Sequence, residues 1–503
     1  MTAAAPSARP RGHSCSWLAE CERGTGEEVL PIETTSGPVR GFLDRGVPNW
    51  RGIPYGRVPG RFRPAVPAVA GGPVDAVRWG PVSWQVPMSS ASRQHWSPLH
   101  ADAVQHEDCL NLNIWSARPE RPDPQPVLVW FHPGRHMVGG TMRTVDPWAY
   151  AARHDLVIVT ANYRLGPWGW LSLADLDPAF SDSANLAVRD QLLMLRWVRD
   201  NISAFGGDPG NVTIFGLSTG GTDVATLLGV PSATGLFHRA AIYSGNAELS
   251  QSRDGAAGLA RRFVSAAGTL ADDAGGLVEL SNVALRYTHA QTMRAGQVRY
   301  QAVVDGELIP RPPLPAIADR AESIPVLVSV TSEEAGILEI VEDGEAVDAK
   351  YSRLIGGSDD ATHAQKVRRL SDELYVRPAE RLLAALDAQR RDAVGTAACW
   401  AQVFDYHPTV SHLAGYPRIA DRAVHAADTA SLFCDPAGPE GTDTDRAVAE
   451  REQSGLVRLA RDGDPGWPAY TPEEPVARWI GPRATDGADL GPLPLTSSME
   501  VPR

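Results

Sequence analysis

Hydrophobic positions in this chain fall into short continuous runs separated by amphipathic stretches. Pro126-Val-Leu-Val-Trp-Phe-His132 and Leu156-Val-Ile-Val-Thr-Ala-Asn-Tyr163 are apolar almost throughout, the pattern of strands buried on both faces. Val212–Phe215, Ala240–Ser244, Pro325–Val330 and Ala401–Tyr406 repeat it, and the last of these is expected to close the sheet. Residues 185–201 instead place Leu186, Leu192, Leu193, Leu195, Trp197 and Val198 at helical spacing, ahead of the break Gly206-Gly207-Asp208-Pro209. Ile32–Gly41 alternates and then turns, as an antiparallel hairpin does. Strands alternating with helices predict an α/β fold around a mostly parallel sheet. The proline-rich stretches 59–81 and 118–124 are expected as surface loops. With no internal repeat and no long linker, residues 27–503 are expected to form one domain and residues 1–26 a flexible extension.

Composition narrows the class without naming it. At 503 residues, 43% hydrophobic and 21% charged, the chain is an ordinary globular protein able to bury a large core. A formal net charge of -13 argues against nucleic acid or an anionic membrane surface as partner. No apolar run approaches the roughly 20 residues a membrane span needs. The N-terminus lacks the apolar stretch of a secretory signal. The five cysteines, at 15, 21, 109, 399 and 434, form no C-x-x-C pair, so reduced thiols in a cytoplasmic protein are expected. On that view Asn201-Ile-Ser203 and Asn211-Val-Thr213 are chance matches to the glycosylation pattern. The only lysines are Lys350 and Lys366, a bias that suggests a GC-rich bacterial coding sequence.

Candidate chemistry centres on Asn211-Val-Thr-Ile-Phe-Gly-Leu-Ser-Thr-Gly-Gly221. A β-branched strand stops at Gly216-x-Ser218-x-Gly220 and a helix is expected from about Gly221. Small residues around Ser218 allow a sharp strand-to-helix turn that lifts its hydroxyl above the sheet. A serine hydroxyl is a weak nucleophile until a base takes its proton and an acid orients that base.

Several longer stretches carry a family resemblance: Arg51-Gly-Ile-Pro-Tyr55, Glu107-Asp-Cys-Leu-Asn-Leu-Asn-Ile-Trp115, Asn162-Tyr-Arg-Leu-Gly166, Asn201-Ile-Ser-Ala-Phe-Gly-Gly-Asp-Pro209, the Ser218 turn, Val304-Asp-Gly306, His425-Ala-Ala-Asp428 and Trp467-Pro-Ala-Tyr470. With these the chain resembles the type-B carboxylesterases, the cholinesterase-like branch of the α/β-hydrolase fold. The resemblance implies Ser218 as nucleophile, Glu334 as orienting acid and His425 as base, with Glu333 the neighbouring, usually non-catalytic acid. It implies an oxyanion hole from the backbone N–H groups of Gly134, Arg135 and Thr219. His132 and His136 border that loop as scaffold, and His363, His407 and His412 are expected to be structural or surface residues. No metal or organic cofactor is implied, and the expected partner is a small-molecule ester or acyl substrate, the protein being a monomer or homodimer.

Three departures from the family pattern stand out. Secreted relatives pair the cysteine matching Cys109 with one about thirty residues earlier, and here none lies between 21 and 109. The usual His-Gly-Gly-Gly reads His132-Pro-Gly-Arg135; Pro133 has no N–H to donate, and Arg135 stands where a glycine-only backbone would be strained. The residues flanking the serine are Leu217 and Thr219 where the family places glutamate and alanine. These changes point to a specialised substrate. The leading expectation is a serine carboxylic-ester hydrolase. The alternatives are a biosynthetic tailoring enzyme performing cyclisation, acyl transfer or elimination on the same scaffold, and a non-catalytic binding relative.

Overall fold

A computed structural model describes residues 31–69, 71–86, 103–141, 147–268, 273–294, 299–320, 324–341, 344–356, 361–392, 397–409, 419, 422–433, 441–481 and 489–494. The expected extension 1–26, with Cys15 and Cys21, and also His412 and Cys434, lie outside them.

The apolar runs become a sheet of eleven strands: β1 (Phe42–Asp44), β2 (Val47–Pro54), β3 (Asn111–Ser116), β4 (Gln125–Phe131), β5 (Val157–Ala161), β6 (Gly207–Leu217), β7 (Arg239–Tyr243), β8 (Val326–Thr331), β9 (Cys399–Phe404), β10 (Ala477–Ile480) and β11 (Leu490–Gly491). Their spatial order is β11-β10-β9-β8-β7-β6-β4-β5-β3-β2-β1. From β10 to β5 every pairing is parallel, and the antiparallel pairs lie at the two edges. β9 was expected as the last strand; β10 and β11 follow it. Ile32 and Val39 exchange two backbone hydrogen bonds of 2.8 Å, so the N-terminal hairpin exists as one antiparallel bridge. The stretch 59–81 is not wholly a surface loop: Phe62 and Ala76 are fully buried, and two-residue strands form at Val66–Pro67 and Val74–Asp75.

Strand parity sorts side chains to two faces, as a period of two requires. Val127, Val129, Phe131, Ala240 and Ile242 pack with helices α1 (Leu186–Asn201) and α2 (Thr219–Leu228). Leu128, Trp130, Phe215, Ala241 and Tyr243 face the other way, against α3 (Asp428–Phe433) and α4 (Asp443–Asp462). The sheet is therefore the middle of three layers. On the second face Trp130, Phe215 and Phe433 form a cluster, with ring centroids 4.8 to 5.9 Å apart. Such pairs contribute about 0.5–1.5 kcal/mol each beyond area burial, and they tie α3 to the centre of the sheet.

Two thiols are fully described. Cys109 and Cys399 are free and buried, and burial pushes both up to about 12. Asn201, in one glycosylation-like motif, is itself buried, and its side chain bonds Thr35 and the carbonyl of Trp197. No helix among the described residues is long and apolar enough to cross a membrane.

Candidate active site

The C-terminal ends of β4, β6, β7 and β8 lie side by side at the centre of the sheet and carry all the candidate residues but His425, which comes from the segment after β9. Ser218 follows β6 directly, with φ 58° and ψ −123°, a left-handed conformation that costs a non-glycine residue about 1–3 kcal/mol. Its N–H donates to the carbonyl of Tyr243 at the end of β7 (2.8 Å), and its own carbonyl accepts the N–H of Thr222 (2.9 Å). The strained serine is thus fixed between the neighbouring strand and the first turn of α2. That helix begins at Thr219, two residues earlier than expected, because Ser218 occupies the capping position. A Cβ at Gly220 would lie 2.1 Å from the carbonyl oxygen of Phe131, so only glycine lets α2 lie against the end of β4.

Glu334 sits in the short turn after β8 and is fully buried. One carboxylate oxygen accepts the hydroxyl of Ser244 (2.5 Å) and the N–H of Thr331 (2.8 Å). The other lies 2.7 Å from Nδ1 of His425. That partner requires the proton on Nδ1, which leaves Nε2 as the ring's free lone pair. The backbone N–H of His425 also donates to the carbonyl of Glu334 (3.1 Å). Glu333 points elsewhere, its carboxylate paired with Arg422 at 2.6 Å. The adjacent acids are therefore separated by environment: one buried on the histidine, one held at the surface by arginine.

Ser244 connects the parts. It follows Tyr243, whose carbonyl holds Ser218, and its hydroxyl holds Glu334. Sequence reasoning took Ser244 only as a strand end. It also gave no role to Tyr375, whose ring lies 4.8 Å from that of His425 and which stands in a π-helical turn, Asp372–Val376, a distortion frequent at functional sites. Asp428 was quoted in the histidine motif without a function. It is fully buried at the start of α3, and burial, reinforced by the charge of Glu334, pushes its carboxyl up to about 7. Behind it Glu452 of α4 accepts from Gln402 (2.9 Å), and burial together with Asp428 pushes it up to about 8. The spacing of Asp428 three residues after His425 was the available signal. Glu452 had none, because α4 is distant in sequence.

The loop after β4 turns sharply. Gly134 has φ 137°, and Arg135 and His136 both have φ 58°. The N–H groups of Met137 and Val138 both reach back to the carbonyl of Gly134 at 3.0 Å. Arg135 is exposed. His132 stacks on Tyr163 with centroids 4.3 Å apart, and burial lowers it to about 4, so it is neutral scaffold. Leu217 is fully buried in the apolar cluster that contains Ala426 and Phe433, both just after His425 in the chain, rather than at a pocket floor. His407 bonds the carbonyl of Arg422, and His363 lies 3.9 Å from Glu339 at the surface. Among the described residues no group of three or more His, Cys, Asp or Glu is arranged to hold a metal ion.

The family model of the carboxylesterase family matches residues 28–355. The para-nitrobenzyl esterase of Bacillus subtilis (strain 168) is 33% identical over 481 residues, 88% of this chain and 93% of that protein. Among solved structures a PNB esterase is 31% identical, covers 92% of this chain and 97% of its own, and superposes with a TM-score of 0.77. A carboxylesterase from Geobacillus stearothermophilus is 30% identical over 90% and 96% of the two chains, with a TM-score of 0.74. The strand order, the strained serine turn and these likenesses agree: the chain belongs to the carboxylesterase family, and is an ester-hydrolysing serine hydrolase of the α/β-hydrolase fold.

Proposed function

We propose that Ser218, His425 and Glu334 form the catalytic triad of this hydrolase and that it works through an acyl-enzyme. Ser218 Oγ attacks the ester carbonyl while Nε2 of His425 takes its proton, and Glu334 stabilises the imidazolium that forms. The negative charge on the tetrahedral intermediate is held by the N–H groups of Gly134, Arg135 and Thr219. Collapse expels the alcohol, which receives the proton from His425. Water, deprotonated by the same histidine, then attacks the acyl carbon and releases the acid and Ser218. The observation carrying this reading is the 2.7 Å contact of Glu334 with His425, backed by Ser244 and Thr331, together with a serine held at φ 58° whose N–H bonds the carbonyl of Tyr243, the residue before Ser244.

Exposed Arg135 in the oxyanion loop favours a specialised substrate, a larger ester bearing an anionic group rather than a small neutral one. The same site would serve acyl transfer if an alcohol or amine replaced water in the second half-reaction. Mass spectrometry of the intact protein after a fluorophosphonate probe tests the reading. One adduct on Ser218 is expected, and none on the Ser218→Ala variant. An unmodified wild type would point to a binding protein instead.

A further inference from the structure

Two consecutive non-glycine residues at φ 58° persist only where the surroundings over-determine them. The loop's contacts show what does so. His136 is buried, and its ring stacks on Trp170 with centroids 3.8 Å apart and planes 18° from parallel. Nδ1 faces the carbonyl of Tyr300 at 2.9 Å, and Nε2 faces Asp223 Oδ1 at 2.9 Å. The second oxygen of Asp223 accepts from Gln191 Nε2 at 2.8 Å, so the carboxylate acts as an acceptor on both sides. Two acceptors facing one imidazole require a proton on each ring nitrogen. Asp223 lies on α2, five residues beyond Ser218.

We propose that His136 and Asp223 form a buried ion pair that clasps the loop of Gly134 and Arg135 to the helix carrying Ser218, and so positions the oxyanion donors. This role rests on the hydrolase mechanism given above. Burial alone would lower the imidazolium, but the charge and hydrogen bond of Asp223, with the carbonyl of Tyr300, outweigh it and hold His136 above its usual value. No other charge competes among the described groups packed there. His132 is neutral, and His289 is lowered to about 4 by burial. The Tyr163 hydroxyl, which donates to the carbonyl of His132 and also interacts with Asp223, is a neutral donor whose own value is pushed well up by burial and by that carboxylate. Tyr300, whose hydroxyl meets His289 at 3.1 Å, is pushed well above its ordinary value by burial. The consequence is a second requirement on protonation: the base must be neutral while His136 stays charged. Loss of the His136 proton turns a lone pair onto an acceptor, the clasp opens, and the transition state loses its donors while ground-state binding is little affected.

The test uses the full chain and a p-nitrophenyl ester. Asp223→Asn should lower kcat on the order of 10² with KM changed far less, because only transition-state contacts are lost, and Asp223→Glu should restore part of it. In the wild type kcat should fall reversibly on the alkaline side, and that limb should vanish in His136→Gln combined with Asp223→Asn. A persisting limb, or Asp223→Asn with kcat within about threefold of wild type, overturns the proposal. If these variants fail to fold, ring-nitrogen NMR of ¹⁵N-histidine-labelled wild type decides: one buried imidazolium should keep its proton to higher pH than the other histidines, and its absence overturns the pair. A fluorophosphonate adduct on Ser218 alongside unimpaired Asp223→Asn discards the clasp alone. No adduct on wild type discards the mechanism and the clasp with it.

Discussion

At the scale of single residues, two adjacent glutamates meet opposite fates. Glu334 is enclosed by Ser244, Thr331 and His425, whereas Glu333 is matched to Arg422 at the surface. Glu334→Gln should therefore lower kcat by up to about 10⁴, the scale on which a mis-set histidine tautomer acts. Glu333→Gln should leave it near wild type, as steady-state kinetics on one ester would show. Arg135 invites the second test. Glycine tolerates φ 58° without strain, so Arg135→Gly should raise kcat/KM for p-nitrophenyl acetate while leaving Tm no lower. The serine turn and the pairing of Glu334 with His425 were legible because each lies in a local motif with a mechanical reason for its residue types. Ser244, Tyr375 and Asp223 were not, because a hydroxyl at a strand end, a tyrosine in a helical turn and an aspartate inside a helix carry no local signal. Only the folded arrangement gives them partners: Glu334 for Ser244, His425 for Tyr375 and His136 for Asp223.

Elements show the same division between local and distant information. Strands buried on both faces were legible as continuous apolar runs, and their observed ends fall within a few residues of those expected, β6 excepted, which starts five residues earlier. β10 and β11 were not, since runs of four and two residues cannot be told from loop by periodicity. The helices α3 and α4 meet through buried acids, with an energetic consequence that periodicity does not reveal. Asp428 and Glu452 have folded-state values of about 7 and 8, against about 4 in an unfolded chain. The folded protein holds more protons over that interval. Their contribution is complete below about pH 4 and is lost as pH climbs through 8, at up to about 1.4 kcal/mol per pH unit for one titrating group. Glu452→Gln keeps an acceptor for Gln402 but removes the titration. Thermal melts should show Tm little changed at pH 5 and higher than wild type at pH 9.

For the whole molecule, the strands are held together with their connecting segments by a buried ion pair. Arg164 and Asp190 are fully buried and joined by two hydrogen bonds of 2.7 Å, with Arg164 also donating to the carbonyl of Arg63. This joins the segment after β5 to α1 and to the N-terminal region. Asp190→Asn would leave the guanidinium buried without its counter-charge, a loss of about 3–5 kcal/mol that urea denaturation should register. The strand order carries a further consequence. Ser218, Glu334 and His425 lie far apart along the chain, and each reaches the site from a different strand end or loop. During synthesis, with N-terminal parts folding first, the strained serine turn can form long before Glu334 and His425 have left the ribosome. On the triad proposed above, the nascent chain stays harmless to the esters around it until the segment carrying His425 is made, and a product terminated before that segment carries Ser218 without the means to use it.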